Sequence, residues 1–155
     1  MEIVVVSDSH REVSWIEKVK QRHKDAYCFI HCGDSELHES DLIFHNFVCV
    51  NGNNDWSFKK DDWIVDLGDH KIFVTHGHKY LRFKDRDVLV KKAQENKCDI
   101  VCFGHTHVFE YQIIDGVHLI NPGSIQHNRD LTNPSYAIIN IDGDNIEVER
   151  IDYKR

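Results

Sequence analysis

The sequence has no long apolar run, which argues against a membrane-spanning segment. A transmembrane helix needs about 18 or more consecutive apolar residues, and no segment approaches that length. The first six residues, Met-Glu-Ile-Val-Val-Val, lack the basic region and the long apolar core of a secretory signal. We therefore expect a cytoplasmic protein with no membrane partner.

Proline and glycine are too few to form a linker. The two prolines and eight glycines are scattered, and the sequence contains neither an internal repeat nor a low-complexity tract. A chain of 155 residues suits one domain with a single core and is short for two. The sequence predicts a single domain over residues 1–155.

An excess of positive charge is also missing. The 26 acidic residues outnumber the 19 lysines and arginines, and the formal net charge is −7. Such a protein repels nucleic acid unless a local feature reverses the sign, and no basic or base-stacking cluster is evident. We expect no nucleic-acid partner. Histidine is abundant instead, with 12 residues, and it is the commonest metal ligand.

The five cysteines lack zinc-binding spacing and suit a reduced core. The pairs Cys28/Cys32 and Cys98/Cys102 fall in predicted strands, where four residues span about 13 Å, far beyond the Cα separation of about 7 Å that a disulfide tolerates. Cysteine is also among the most buried residue types. We expect free thiols in the core.

The hydrophobic pattern predicts an α/β fold. Residues 2–6 form a continuous β-branched run typical of a buried strand, and the next segment has helical spacing of apolar residues. Further strands are predicted at 26–30, 47–50, 63–67, 72–74 and 99–103, with helices at 12–23 and 85–96. The last third predicts a β-meander on the same core, with turns at 115–116 and 142–144.

Polar loops follow five of the predicted strands. They lie at residues 8–10, 33–34, 52–55, 76–78 and 104–107, and in α/β sheets such strand ends converge on one crevice. This set is too large for one tetrahedral metal and suits two ions that share a carboxylate. The candidate ligands are Asp8, His10, Asp34, Asn53, His76, His105 and His107.

The order of these loops resembles the calcineurin-like metallophosphoesterases, in particular their small single-domain microbial members. The match spans residues 8–124, and the order and spacing of the blocks are more specific than any single one. The blocks are D-x-H at 8–10, G-D at 33–34, G-N-x-D at 52–55, H-G-H at 76–78, G-H-T-H at 104–107 and N-P-G-S at 121–124. The resemblance implies a four-layer sandwich of two mixed sheets flanked by helices.

The resemblance also implies how the ligands divide between two divalent metal ions. Asp8, His10 and His107 would hold the first ion, and Asn53, His76 and His105 would hold the second. Asp34 would bridge them. Nitrogen and oxygen ligands without thiolate favour Mn²⁺, Fe²⁺, Ni²⁺ or Zn²⁺ over Ca²⁺ or Mg²⁺. We expect Mn²⁺.

The charge of such a centre favours a phosphorylated substrate. Two divalent ions outweigh the carboxylates of Asp8 and Asp34, and water that bridges two ions loses a proton near neutral pH and can attack phosphorus. We expect a phosphodiesterase that acts on a small phosphorylated molecule. Two alternatives remain open: a catalytically inactive metal-binding scaffold of the same fold, and a nucleotide pyrophosphatase. A homo-oligomer is also open.

Asn54 departs from the family pattern. Many members carry histidine there, where it is proposed to protonate the leaving group, and an amide delivers no proton. The candidate catalytic residues are therefore Asn54 itself, His78 as a substitute proton donor, and Asp55, which would orient its loop or a ligand imidazole. We predict a preference for leaving groups that depart as stable anions.

Three further residues have two interpretations each. Trp56 follows the G-N-x-D block and is expected either to form a substrate wall or to pack in the core. His31 and His127 flank metal-binding blocks and either approach the site or serve the core. The remaining histidines are not expected to bind metal.

Overall fold

The computed structural model describes residues 1–82 and 85–154. Within these ranges it contains ten strands, two α-helices and a single 3-10 turn at Leu42–Phe44. In chain order the elements are β1 (Glu2–Val6), α1 (Val13–Arg22), β2 (Cys28–His31), β3 (Phe47–Cys49), β4 (Asp62–Asp66), β5 (Lys71–Thr75), α2 (Asp87–Glu95), β6 (Ile100–Cys102), β7 (Phe109–Ile114), β8 (Val117–Pro122), β9 (Ser135–Asp142) and β10 (Asn145–Asp152). The predicted helices and strands are all present, and no end is shifted by more than two residues.

The strands form two mixed sheets of five strands each. Their orders are β10-β9-β1-β2-β3 and β4-β5-β6-β8-β7. Each sheet contains three neighbouring parallel strands, β1-β2-β3 in the first and β5-β6-β8 in the second. Antiparallel strands complete both sheets. The loops that follow the parallel strands carry the candidate metal ligands.

Alternation along β1 shows how the layers stack. Ile3 and Val5 join the apolar core between the two sheets, whereas Val4 and Val6 face α1 and pack with Val19. Successive side chains of a strand point to opposite faces, so a strand covered on both faces is apolar throughout. This explains the continuous β-branched run.

The second sheet is covered by α2 in the same way. Leu89, Val90 and Ala93 of this helix are buried and pack against the outer face of the sheet, including Phe73 and Val101. The layers therefore run α1, first sheet, second sheet, α2. The predicted four-layer sandwich of two mixed β-sheets flanked by helices is confirmed.

The prediction of one C-terminal meander is wrong. Strands β7 and β8 form a hairpin in the second sheet, and β9 and β10 form a hairpin in the first. The chain crosses between sheets over residues 123–134, because β8 pairs in parallel with β6 whereas β9 pairs with β1. Turns lie where expected, and Asp115 and Gly116 have φ of +50° and +78°, as a two-residue hairpin turn requires.

All five cysteines are free thiols, as expected. Four are buried, and Cys28 is half-buried against the core between the sheets. Burial raises the pKa of the Cys28 thiol to about 11, and it also raises the pKa of the other four, so these thiols stay protonated at neutral pH. No helix in the described part of the chain is long and apolar enough to cross a membrane.

Candidate metal centre

The loops after β1, β2, β3, β5 and β6 meet at one edge of the sandwich, and much of their backbone is left-handed. Five of the seven predicted ligands have positive φ, a conformation that costs energy for residues with a Cβ and is concentrated at functional sites. They are Asp8 at +53°, His10 at +43°, Asp34 at +57°, His105 at +71° and His107 at +57°. The strain turns these side chains toward the shared edge.

One group of potential metal ligands consists of Asp8, His10 and His107. The Nε2 atoms of the two imidazoles are 3.3 Å apart, and Nε2 of His107 is 3.1 Å from Oδ1 of Asp8. The opposite nitrogen of His10, Nδ1, donates to Glu36 at 2.7 Å, and that of His107 donates to the carbonyl of His127 at 3.0 Å. In the neutral rings both Nε2 atoms therefore present lone pairs to one another.

A second group consists of Asp8, Asp34 and His76. Nδ1 of His76 donates to the carbonyl of Cys32 at 2.7 Å, which leaves Nε2 as the free ligand atom. This Nε2 is 3.1 Å from Oδ1 of Asn53, 3.5 Å from Oδ2 of Asp34 and 3.8 Å from Oδ1 of Asp8. Nε2 of His76 thus faces three oxygen atoms.

These contacts fit divalent cations. When the three Nε2 atoms are deprotonated, as metal binding requires, every inward-facing nitrogen and oxygen is an acceptor, and the buried Oδ1 of Asp8 has no hydrogen-bond donor among the described residues. A buried carboxylate without a compensating partner is costly. Because the donor set is nitrogen and oxygen without thiolate, it suits Mn²⁺, Fe²⁺, Ni²⁺ or Zn²⁺. Cations would convert each unfavourable contact into a ligand bond.

The two groups share the carboxylate of Asp8, whereas the resemblance assigns the bridge to Asp34. Both carboxylates approach Nε2 of His76. The remaining predicted ligand, His105, belongs to neither group but lies beside them, with its ring centroid 5.2 Å from that of His76. Its backbone N–H donates to Oδ2 of Asp8 at 3.1 Å. The assignment of seven ligands to two ions stays a prediction.

The site holds its carboxylates ionised. Burial raises the pKa of Asp34, but the hydrogen bond and charge of His76 and the two N–H groups of Asn54 outweigh it and lower that pKa. The pKa of Asp8 is also lowered, because His107 and His76 outweigh the burial. For His76, burial opposes the charged form, yet Asp34 and Asp8 raise its pKa. The ionised carboxylates of Asp8 and Asp34 thus favour the binding of cations at the centre.

His78 stands beside the centre with its ring centroid 5.4 Å from that of His76. Its Nδ1 is buried and has no hydrogen bond to any residue in the described ranges. Burial and the charge of His76 lower the pKa of His78, so its ring is neutral at neutral pH. A neutral imidazole is a weak general acid, which counts against the substitute role expected of His78.

Asn54 and Asp55 both act on the loop that carries Asp34. The backbone and side-chain N–H groups of Asn54 donate to the two oxygens of Asp34, each at 2.9 Å. The carboxylate of Asp55 accepts from the backbone N–H groups of Asp34 at 2.6 Å, Glu36 at 2.7 Å and Gly52 at 2.8 Å. Asp55 therefore orients its loop, as expected, and the contacts described for it include no imidazole.

Glycine is required where two of these loops touch. A Cβ at Gly52 would lie 2.1 Å from Oδ1 of Asp34, and a Cβ at Gly104 would lie 2.1 Å from Oγ of Ser7 and 2.7 Å from Oδ2 of Asp8. Both distances are far inside van der Waals contact. The glycines of the G-N-x-D and G-H-T-H blocks allow the carboxylates to approach the neighbouring loop.

Sequence reasoning missed two residues that support the ligands. Glu36 binds Nδ1 of His10 and also pairs with Arg11 at 3.1 Å. Ser124 donates its hydroxyl to the backbone carbonyl of Asp8 at 2.8 Å and accepts two backbone N–H groups of the next turn. The N-P-G-S block signalled Ser124, whereas nothing local to Glu36 marks it, because its partner lies 26 residues away.

The open questions on the flanking residues are resolved. The side chain of His31 is buried and its Nε2 contacts Oγ of Ser9 at 2.9 Å, so it lies beneath the site. His127 approaches the site through its backbone carbonyl. Trp56 is 80% exposed and lies beside His38, so the expectation that it packs in the core is wrong.

Two stacked mixed sheets with aspartate, histidine and asparagine side chains gathered at one edge define an α/β metal-binding protein. The family model described as the calcineurin-like phosphoesterase superfamily domain matches residues 1–144. The chain therefore belongs to this superfamily. The resemblance read from the motifs is confirmed.

Two sequence relatives cover most of both chains. The probable metallophosphoesterase YsnB of Bacillus subtilis is 34% identical over 146 residues, which cover 93% of this chain and 86% of the relative. The phosphodiesterase MJ0936 of Methanocaldococcus jannaschii is 31% identical over 144 residues, which cover 79% and 83%.

Solved structures show the same fold. A predicted phosphoesterase of Streptococcus pneumoniae has a TM-score of 0.91 at 30% identity and covers 97% of this chain and 88% of that one. Vps29 of Entamoeba histolytica, in a complex with Zn²⁺, has a TM-score of 0.74 at 21% identity and covers 98% and 99%. The second likeness extends to the fold alone.

Proposed function

We propose that this chain is a phosphodiesterase that uses two divalent ions, Mn²⁺ first among them. The observation that carries the proposal is the convergence of potential ligand atoms. The Nε2 atoms of His10 and His107 are 3.3 Å apart, and those of His76 and His107 lie 3.8 and 3.1 Å from the buried Oδ1 of Asp8. The relative from Methanocaldococcus jannaschii, named a phosphodiesterase, supports the choice of a diester.

When bound, the ions supply an activated water nucleophile and stabilise negative charge on the phosphoryl oxygens. The residues of this chain hold the geometry. Glu36 and the carbonyl of His127 orient His10 and His107, and the carbonyl of Cys32 orients His76. Such outer contacts fix the tautomer of each imidazole and leave Nε2 free, so the site is preorganised for its ions.

The local charge favours a small phosphorylated substrate. Two divalent ions would outweigh the carboxylates of Asp8 and Asp34, so the site attracts phosphate although the chain carries a net charge of −7. This proposal places the activity in the cytoplasm, with neither nucleic acid nor membrane as a partner. Because the metal site uses residues of a single chain, a homo-oligomer is not required for its assembly.

Metal content and turnover of a diester test the proposal together. We expect two Mn²⁺ ions per chain by elemental analysis and Mn²⁺-dependent hydrolysis of bis(4-nitrophenyl) phosphate. His76→Gln should lower the activity about 100-fold or more and reduce the metal content, because it removes a predicted ligand of the ions that supply the nucleophile. His45→Gln is the matched control, since His45 is exposed and outside the site.

Three results would contradict the proposal in different ways. Full activity of the metal-free protein would rule out a metal-dependent mechanism. Two bound ions without hydrolysis of any diester, monoester or pyrophosphate would favour a binding scaffold. Hydrolysis restricted to nucleotide pyrophosphates would favour a pyrophosphatase that uses the same centre.

A further inference from the structure

An open cleft of about 560 Å³ adjoins the candidate metal centre on the side of His105. His105 and Thr106 of the G-H-T-H loop form one wall, and Leu81 and Val108 contribute apolar surface. A cleft of this size and lining is typical of sites that bind small organic molecules, for which volumes of about 300–1,000 Å³ are common. A substrate held at the centre has room to extend into it.

One of the two arginines in the cleft is neutralised. Arg86 donates from Nε and Nη2 to the carboxylate of Glu110 at 2.8 to 3.1 Å, and Gln112 donates to the same carboxylate at 2.8 Å. The hydrogen bonds of Glu110 raise the pKa of Arg86. Burial raises the pKa of Glu110, but its contacts with Arg86 and Gln112 outweigh the burial and lower it, so both groups stay charged and paired. Arg86 and Glu110 therefore form a fixed, neutral wall.

The other arginine, Arg82, keeps its charge available. It is exposed and has no ion pair or hydrogen bond with the residues at 1–82 and 85–154. Leu81 and Val108 lie in the same lining, so the cleft combines an apolar surface with one unneutralised cation. In a protein with a net charge of −7, this combination favours an organic group that is itself anionic.

We propose that the cleft binds the organic group of the phosphodiester and that Arg82 binds a second anionic group on it. The substrate class is a phosphodiester whose apolar or aromatic group carries a carboxylate or a further phosphate. This inference rests on the proposed function, because the scissile phosphate would lie at the metal centre beside His105. Arg82 is a specificity-determining residue in this arrangement.

A pair of synthetic esters isolates the second anionic group. The substrates are 4-nitrophenyl phenyl phosphate and 4-carboxyphenyl 4-nitrophenyl phosphate, which share one leaving group and differ by one carboxylate. With Mn²⁺ present, kcat/KM should be about three- to tenfold higher for the carboxylated ester, as a charge-assisted contact at an exposed site allows. In Arg82→Gln this ratio should fall to about one.

The control and a second variant separate charge from shape. Arg22→Gln makes the same change on α1, which covers the other sheet, and should keep the wild-type ratio. Gln112→Trp fills the cleft at a position five residues along the chain from His107, the nearest predicted ligand in the sequence. It should raise KM for both aryl esters relative to methyl 4-nitrophenyl phosphate.

The outcomes distinguish this inference from the function on which it rests. A wild-type ratio of one or less, or a ratio that Arg82→Gln preserves, would overturn the inference while hydrolysis stands. If neither ester is hydrolysed, the proposed function fails, and binding of 4-carboxyphenylphosphonate to the protein loaded with diamagnetic Zn²⁺ decides. Shifts of the Thr106 and Gln112 amide resonances that Arg82→Gln abolishes would support the cleft, and unchanged resonances would refute it.

Discussion

The role of each histidine at this site depends on the hydrogen bond that its Nδ1 makes. Nδ1 of His76 donates to a backbone carbonyl, and Nδ1 of His10 donates to a carboxylate. Each contact leaves Nε2 free for a metal. His31 behaves differently, because its Nδ1 accepts the backbone N–H of Gly33 and its Nε2 lies against Ser9. The same residue type thus serves as a predicted ligand and as a structural support.

His31 makes the stability of the fold depend on pH. Burial lowers the pKa of this side chain to about 4, below the value of 6.5 in an unfolded chain. The unfolded state therefore binds the proton more readily, so the stabilisation is complete above pH 6.5 and is lost as the pH falls toward 4. The loss is about 3 kcal/mol by proton linkage.

The measurement compares wild type with His31→Gln in denaturant unfolding from pH 7 to pH 4, both with chelator. The other titrating groups are common to both proteins, so their effects cancel in the difference. We expect the difference in unfolding free energy to move by about 3 kcal/mol against wild type. A constant difference would show that His31 is protonated equally in both states.

Asn54 is predicted to limit which leaving groups depart quickly. Its backbone and side-chain N–H groups each donate one hydrogen bond to Asp34, but the side-chain amide supplies no proton to a leaving group. In a series of methyl aryl phosphates, wild-type kcat should fall steeply as the pKa of the phenol rises. Asn54→His should flatten this dependence and speed the poorest leaving groups about tenfold or more.

The comparison needs a chemical step that limits the rate, which a thio effect or a burst measurement establishes. Asn54→Ala serves as the control, because it removes the side-chain hydrogen bond to Asp34, keeps the backbone one, and adds no proton donor. If wild type shows no dependence on the leaving group under these conditions, Asn54 does not set the preference.

Among the elements, the loops at the strand ends determine the geometry of the candidate metal centre more directly than the strands do. Strands β1 and β6 are short apolar segments, and the loops that follow them lie close to each other. This close approach depends on the small residue Gly104. Gly104 has no left-handed φ, so its role is purely one of space: an added Cβ would meet Ser7 and Asp8. The contact between the loops after β1 and β6 therefore depends on this position.

Gly104→Ala should separate these two loops. Because the Cβ would lie 2.1 Å from Oγ of Ser7, we expect Asp8 to be displaced and Mn²⁺ affinity to fall at least about tenfold, as for lost ligand support. Gly68→Ala is the control: its Cβ meets nothing within 4 Å, though φ is +90°. It should cost about 1 kcal/mol of stability and leave metal binding intact.

Titration calorimetry with Mn²⁺ and thermal unfolding measure the two effects separately. Equal Mn²⁺ affinity in Gly104→Ala and wild type would mean that the loops adjust without moving the ligands. Equal losses in both alanine variants would point to general destabilisation.

The predicted helices and strands agree with the observed ones where they depend only on the hydrophobic pattern of neighbouring residues. The strands and both helices follow from apolar runs and helical spacing, since each segment is buried on a definite face. The prediction of a C-terminal meander fails because hairpin turns do not specify which sheet a hairpin joins. The pairing of β9 with β1 involves residues more than 130 positions apart.

At the scale of the whole molecule, the metal centre connects the two sheets. Asp8 follows a strand of the first sheet, and His76 and His107 follow strands of the second. Cations bound between them would join the two halves of the sandwich. Metal binding and the stability of the entire domain should therefore be coupled.

Removing the metal should lower the melting temperature. Two ions, each present at 100 times its dissociation constant, add about 5 kcal/mol of stability. For a chain of 155 residues this corresponds to a rise of about 10–20 °C. The test is a thermal unfolding scan with Mn²⁺ against one with excess chelator.

Asp8→Asn is the matched variant for this measurement, because it removes the carboxylate that both ligand groups share. Its melting temperature should respond little to Mn²⁺. An equal melting temperature for wild type with and without metal would contradict the coupling.

By itself the sequence determined the α/β class, the order of the loops and the residue types at their ends, because these depend on short-range periodicity and motif spacing. The tertiary structure decided the sharing of Asp8, the support from Glu36 and Ser124, and the cleft beside Arg82. These features involve residues that are distant in the chain, and the order of the strands in the two sheets brings them together. Since sheet pairing is non-local, no short segment specifies it.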